Sequence, residues 1–260
     1  MDKPIFSIVC ATYNRAHSIC RTIDSVVKQD FHRWELVIID DGSVDSTKDL
    51  VKKYLPDKRI KYIRLDVNKG VGFARNAGIL RANSNWIVLL DSDNALTSDA
   101  ISKMYKAIQL SPDILIHKFS VVSFDNKKMC DTISSEGALV GLREYICDKH
   151  KGEFHTLTRK KLLEENPFPE NFNGGEGVVW SKVVSSAKFV LYHAEVTEKY
   201  EMDGSDRLSL KKGSYYRLSQ IFFYDISNLW VLYLRHSPLQ LFLRIGKFMV
   251  YRARSEFDNV

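Results

Sequence analysis

The first third of the chain repeats one arrangement: a short apolar run rich in β-branched residues, a polar turn, then a stretch with helical spacing. The runs are PIFSIVCA, WELVIID, KYIRL and NWIVLLD, and the helical stretches between them cover about His17–Gln29, Ser46–Leu55 and Val71–Ala82. Apolar strands without polar alternation are buried on both faces, and an intervening helix returns the chain to start a parallel neighbour. The pattern predicts an α/β fold with a mainly parallel central sheet and flanking helices. Ligands of such sheets bind beyond the carboxyl ends of the strands. Here those exits read ATYNR, DDGSVDS and DSDNA, all polar and two of them acidic.

Further on, the spacing predicts a helix over Thr97–Leu110, a strand in DILIHKFSVVSF, a helix near Val178–Ser186 and a strand near Lys188–His193. Residues 126–176 are weakly patterned, with Asn-Pro-Phe-Pro and Asn-Gly-Gly marking loops. From Leu210 the pattern is helical and aromatic, and Pro238 separates two helices. At 260 residues, 45% hydrophobic, the chain can bury a full core. Its four cysteines, Cys10, Cys20, Cys130 and Cys147, have neither C-x-x-C spacing nor nearby histidine pairs, so they read as reduced thiols of a cytoplasmic protein. No signal peptide and no apolar run long enough to span a bilayer is visible.

The exits carry the candidate chemistry. Asp91-Ser92-Asp93 sets two carboxylates one residue apart on a turn, able to share Mn²⁺ or Mg²⁺ bridged to diphosphate oxygens. Equally, such a turn can be solvated, with an aspartate capping the next helix. Asp40 and Asp41 lie beside Gly42, where a carboxylate can accept the imide N–H of a uracil ring, while Asp45 reads as a helix cap. In Ala11-Thr12-Tyr13-Asn14-Arg15, Tyr13 is either a stacking platform for a base or a core residue. Gly70, Gly72 and Arg75 open a helix in a way that suits a phosphate. Arg75 stands where G-x-G-x-x-G needs its third glycine, which argues against a nicotinamide cofactor.

Taken in order, FSIVCATYNR, ELVIIDDGSVDST, NKGVGFARNAGI and WIVLLDSDN resemble glycosyltransferase family 2, inverting enzymes with the GT-A nucleotide-sugar fold, over roughly residues 4–110. The resemblance implies a nucleotide site of Ala11, Tyr13, Asn14, Asp40, Asp41, Arg75, Asp91 and Ser92. Within it Tyr13 and Asp41 hold the base, Arg75 lies near the diphosphate, Asp93 is the main metal contact, and Asp91 assists through sugar or ribose. Ala11 replaces the Pro or Thr of many relatives.

In the acceptor half, relatives carry Glu-Asp shortly before a tryptophan, with the Asp as base. Here Glu176 matches the first acid and Gly177 stands in place of the second, ahead of Trp180. Either Glu176 acts as the base, or the match slips by one position, or Glu176 only holds the acceptor with Trp180, or the chain binds nucleotide-sugar without transferring it. Ser205 and Arg207 resemble the loop that closes over the diphosphate, although Glu201, Met202 and Asp203 stand where relatives place a histidine.

The expected organisation is a GT-A catalytic domain over 1–208, split into a nucleotide half (1–110) and an acceptor half (111–208), and a basic, aromatic, amphipathic helical extension over 209–260. From Lys211 onward the chain has eight basic and three acidic residues. Such a tail either lies on an anionic lipid surface or packs on protein, a homodimer partner included. No groove-reading motif accompanies the charge, so nucleic acid is not expected. The expected reaction moves a sugar from a nucleotide diphosphate, UDP in the first instance, to a saccharide acceptor. The resemblance implies an acceptor carried on a polyprenyl diphosphate for surface polysaccharide, with the enzyme peripheral on the inner face of the cell membrane.

Overall fold

A computed structural model describes residues 3–170, 175–202 and 215–257. The predicted alternation is present. Strands β1 (Phe6–Thr12), β2 (Trp34–Asp40), β3 (Ile60–Arg64) and β4 (Trp86–Leu89) alternate with helices α1 (Ile19–Val27), α2 (Thr47–Lys52) and α3 (Val71–Arg81). They pair in parallel in the order β3-β2-β1-β4, so the direction of winding reverses between β1 and β4. A crevice forms at such a reversal, and the exits of β1 and β4 line it. β2 is buried along its whole length, as its unalternated apolar sequence requires.

The buried Glu35 of β2 is fully employed. It accepts hydrogen bonds from Ser7 Oγ at 2.5 Å, Lys61 Nζ at 2.7 Å and the backbone N–H of Asn83 at 2.5 Å. Burial opposes its ionisation, but Lys61, Ser7 and Asn83 outweigh that and hold its carboxyl below the usual range. One carboxylate thereby joins three strands to the end of α3.

The second half departs from the sequence reading most in the weakly patterned region. After β5 (Ala95–Leu96), α4 (Ala100–Leu110) and β6 (Ile116–Ser123), that stretch contains β7 (Ala138–Gly141), α5 (Leu142–Ile146), β8 (Phe154–Arg159) and α6 (Lys160–Glu165). β8 inserts antiparallel between β4 and β6, so it completes the sheet that the first four strands begin. α7 (Glu176–Ala187) precedes β9, which runs from Phe189 to Tyr200, well past the predicted end at His193. β9 pairs with β6 in parallel and with β7 and β5 antiparallel, giving a mixed sheet.

Two long helices follow, α8 (Tyr215–His236) and α9 (Pro238–Phe257), broken at the expected proline. They stack Phe222 on Tyr251 and Phe223 against Phe248. Leu229 and Tyr233 bury against Ile146 of α5 and Val178 of α7, so one face of this hairpin joins the hydrophobic core of the second half.

Candidate functional site

Three strand exits meet at the crevice through backbone and side-chain hydrogen bonds. The Asp41 N–H donates to Thr12 O at 2.8 Å, Asn14 N–H to Ser43 Oγ at 2.9 Å, and Val44 N–H to Asn14 Oδ1 at 2.9 Å. Ser18 Oγ donates to the carbonyl of Ser92 at 2.9 Å, which ties the start of α1 to the turn after β4. Asp45 receives Thr47 N–H and Ala16 N–H, joining the start of α2 to the first exit from one residue before the cap position, which Ser46 occupies.

Each expected nucleotide residue can now be placed. Tyr13 is 42% exposed, which excludes the core alternative and leaves its ring available for stacking. Asp41 accepts the N–H groups of Lys69 at 2.7 Å and Gly70 at 2.8 Å, so the turn before α3 closes on its carboxylate. Burial pushes its carboxyl up, against the pull of those N–H groups. Each oxygen keeps a second lone pair for another donor. Gly42 has φ of +80°, and a Cβ there would stand 3.0 Å from the backbone of Val67 and Asn68, so only glycine makes this turn without strain.

Two expectations need correction. Asp40 is wholly buried, and its carboxylate is taken up by Ser43 N–H and the Tyr62 hydroxyl. It shapes the turn and does not face the crevice. Ala11 packs its methyl in the cluster of Val37, Ile39 and Ala74 beneath α3, so its side chain offers the nucleotide nothing. Ser92 is likewise buried and contributes through its carbonyl. Ser205 and Arg207 lie outside the described residues.

The centre of the site is Arg75. It lies one turn into α3, and its guanidinium donates to Asp91 Oδ1 at 2.8 Å and to Glu176 Oε1 at 2.6 Å. Burial alone would weaken its hold on the proton, but Asp91 and Glu176 reverse this and keep the group charged throughout. α3 can sit this close to the following loop because of Gly72: a Cβ there would stand 2.1 Å from the carbonyl oxygen of Pro169. Asn76, one position on, holds the same loop with its amide, donating to Phe168 O at 2.8 Å and accepting Phe168 N–H at 2.9 Å. The second aspartate, Asp93, lies 3.7 Å from Arg15, and Arg21 donates to its carbonyl at 2.5 Å.

Asp91 and Asp93 are hard oxygen donors on one turn. Among the described residues no cluster of three acidic, histidine or cysteine side chains could enclose a metal by itself. Two carboxylates on one turn could hold a divalent cation only with substrate phosphates and water completing its shell.

A cleft of about 210 Å³ opens beside this centre, lined by Arg75, Asp91, Lys118, Glu176, Trp180 and Glu198 among others. Glu176 is the first residue of α7, and Gly177 follows with nothing within 4 Å of where a Cβ would project. Sequence reasoning missed the polar floor. Asn94 donates to Glu198 Oε1 at 2.5 Å and accepts Glu201 N–H at 3.0 Å, which fixes the turn after β4 to the end of β9. Burial pushes the Glu198 carboxyl well up, and Asp91 adds to that. His155, whose Nδ1 is 2.9 Å from Thr197 Oγ1, is held neutral by burial with its pKa down to about 4. Asn94 ends the quoted WIVLLDSDN and was within reach of the sequence; His155 and Glu198 lie on strands whose pairing the sequence did not disclose.

The sequence pattern of Glycosyl transferase family 2 matches residues 7–196. A succinoglycan biosynthesis protein of Rhizobium meliloti is 40% identical over 50% of this chain and 37% of its own length. A Campylobacter jejuni protein, GalNAc(5)-diNAcBac-PP-undecaprenol beta-1,3-glucosyltransferase, is 27% identical over 82% of this chain and 70% of its own. The chain thus spans well under two thirds of the first relative and just over two thirds of the second. In fold it is similar to Staphylococcus aureus TarS 1-349 in complex with UDP-GlcNAc, with a TM-score of 0.73 at 20% identity, covering 96% of this chain and 72% of that one. A mannosyltransferase of Pyrobaculum calidifontis in complex with GDP-Man and Mn²⁺ is similar at a TM-score of 0.62 and 16% identity, covering 98% and 74%.

Proposed function

The chain belongs to glycosyl transferase family 2, and from that premise we propose that it is an inverting, metal-dependent glycosyltransferase using a UDP-sugar and a lipid-linked saccharide acceptor in surface polysaccharide biosynthesis. The observation that carries this reading is Arg75. It gathers a β4-exit aspartate and the acid at the start of α7 around one cation, which brings donor and acceptor chemistry into one cleft.

In this reading Tyr13 stacks on uracil and Asp41 accepts its imide N–H. Asp91 and Asp93 hold the metal, which when bound neutralises charge on the departing nucleotide diphosphate. Arg75 exchanges its carboxylate partners for the diphosphate, and Glu176, released from the ion pair, takes the proton of the attacking acceptor hydroxyl. The Campylobacter relative, named for a PP-undecaprenol substrate, supports a lipid-linked acceptor.

The extension supports a membrane-surface location. On α9, Leu239, Phe242, Leu243, Met249 and Val250 recur at helical spacing and are all exposed, with Leu239 at 69% and Phe242 at 70%. Cations Lys247, Arg252 and Arg254 accompany this stripe, the pattern of a helix lying in an anionic lipid interface. Among the described residues no helix is long and apolar enough to cross a membrane. A homodimer through the same stripe is the competing use of it.

A second reading, a nucleotide-sugar-binding protein without transfer activity, is favoured by Gly177 alone. The deciding experiment is a thermal-shift series with UDP, GDP, CMP and TDP, each with and without Mn²⁺. A ligand of the folded state raises the melting temperature by mass action. The proposal expects a metal-dependent shift with UDP that disappears in Asp93→Ala; no shift with any nucleotide would reject it.

A further inference from the structure

Beyond the cleft lies a larger cavity of about 460 Å³, closed on its far side by Asp225 and Tyr233 of α8 and Arg244 of α9. The two spaces share Lys118, Gly152 and Phe154 as walls. Lys118 projects from β6 on the face it shares with its cross-strand partners Thr156 and Tyr192. Its nitrogen stands 5.5 Å from the ring centroids of both Tyr145 and Trp180. Among the described residues it has no hydrogen-bond acceptor and no ion-pair partner. Aromatic faces attract an ammonium but do not replace hydrogen-bond acceptors, so its three N–H donors are left to water or a ligand. An unsatisfied group lines the same cavity: His150 Nε2 is buried and has no partner.

Burial lowers the Lys118 pKa to about 8, opposed by the field of Glu153, which lines the same cleft without forming an ion pair with it; other charges nearby are already committed. Asp91 and Glu176 share Arg75, and Asp225 is bound by Arg244 and by the Tyr233 hydroxyl at 3.1 Å. Glu198 is driven towards its neutral form by burial. An amine without an ion-pair partner on the wall between two cavities, beside the candidate base, can receive an anion, which would hold its proton against the pull of burial.

We propose that the acceptor is an acidic saccharide, and that Lys118 binds a carboxylate or phosphate substituent on the acceptor sugar while the larger cavity holds the sugars behind it. This inference rests on the glycosyltransferase reading and narrows its acceptor class. Lys118 is here a specificity-determining residue; the proton transfer remains with Glu176.

The test compares paired acceptors that differ only in charge: methyl glucuronide, methyl 6-phosphoglucoside and methyl glucoside, with the matching galacto- and N-acetylhexosamine sets. Protein loaded with UDP and Mn²⁺ is titrated with each by calorimetry, and transfer from UDP-glucose, UDP-galactose and UDP-GlcNAc is followed in parallel. Lys118→Met keeps the volume against Trp180 and Tyr145 without the charge, and Lys118→Arg keeps the charge. The expectation is that the native protein favours a charged acceptor over its neutral twin by tenfold or more, as suits one charge-assisted hydrogen bond. Lys118→Met should lose that preference and Lys118→Arg retain it. Whether the glucuronide or the 6-phosphoglucoside wins identifies the anion. Equal binding of charged and neutral members, or a preference that survives in Lys118→Met, overturns the inference. The binding arm keeps the test decisive where turnover is low, and UDP binding in the same titrations shows that the donor reading stands apart from it.

Discussion

Arg75 Nη1 and Glu176 Oε1 are 2.6 Å apart across 101 residues of sequence. The carboxylate that the proposed reaction needs as a base is therefore engaged, and so is the cation that the diphosphate needs. In the proposed reaction a donor that draws Arg75 away would free Glu176 at the moment it is required, and the pair would link donor binding to the readiness of the acceptor side.

Arg75→Lys tests this link. Lysine has one compact head group and cannot bridge Asp91 and Glu176 as the planar guanidinium does. Transfer should fall by about a hundredfold, with the donor KM raised, in steady-state assays at saturating acceptor. A variant with native kinetics would mean the bridge is only structural.

Gly177→Asp should be accepted by the fold, since the space around a Cβ there is open. Replacing glycine by an acid in the first turn of α7 should stabilise that helix by roughly 0.5–1 kcal/mol. If the base function was lost with that position, kcat rises by tenfold or more; if Glu176 is the base, kcat changes little and Glu176→Gln abolishes turnover while UDP binding persists.

Gly72→Ala should be costly although alanine favours helices. The added methyl would meet the Pro169 carbonyl oxygen at 2.1 Å, and backbone on both sides leaves little room to yield. We expect a loss of about 1–3 kcal/mol in urea unfolding, with donor affinity reduced because the loop at Phe168 shifts away from Arg75 and Asn76.

The His117–His193 pair, joined Nδ1 to Nε2 at 2.9 Å, should make stability depend on pH. Burial, then His193, holds the His117 pKa down to about 3, and burial lowers that of His193 also, with Glu195 opposing; Arg159 adds to the depression at His117. In the folded protein His117 stays neutral and His193 takes up its proton less readily, while the unfolded chain takes up protons below about pH 6.5. Stability is therefore lost as pH falls from there, by at most about 1.4 kcal/mol per pH unit for each ring. Urea midpoints at pH 7 and pH 5 should differ less in His117→Asn than in the native protein. Glu198 titrates with the opposite sign but equally in both, so the comparison cancels it.

The exposed stripe on α9 predicts that Leu239→Ser with Phe242→Ser abolishes co-flotation with anionic phosphatidylglycerol vesicles while UDP binding is retained. Flotation unchanged by these substitutions would move the stripe to a protein interface.

Periodicity and turn chemistry in the sequence alone determined the parallel nucleotide half, its three polar exits, the identity of Tyr13, Asp41, Arg75, Asp91 and Asp93 as candidates, and the break at Pro238. These are local properties: a buried strand, a glycine turn and a helix start each announce themselves within a few residues. Tertiary structure alone decided which way each side chain looks, turning Asp40 and Ala11 inward. It also decided which distant groups meet. β8, the partner that joins the two halves of the sheet, has little period of its own because its stability comes from neighbours on both sides. His155, Glu198 and the unpartnered Lys118 acquire their character only from burial among residues far away in sequence, and burial is a property that no short segment carries by itself.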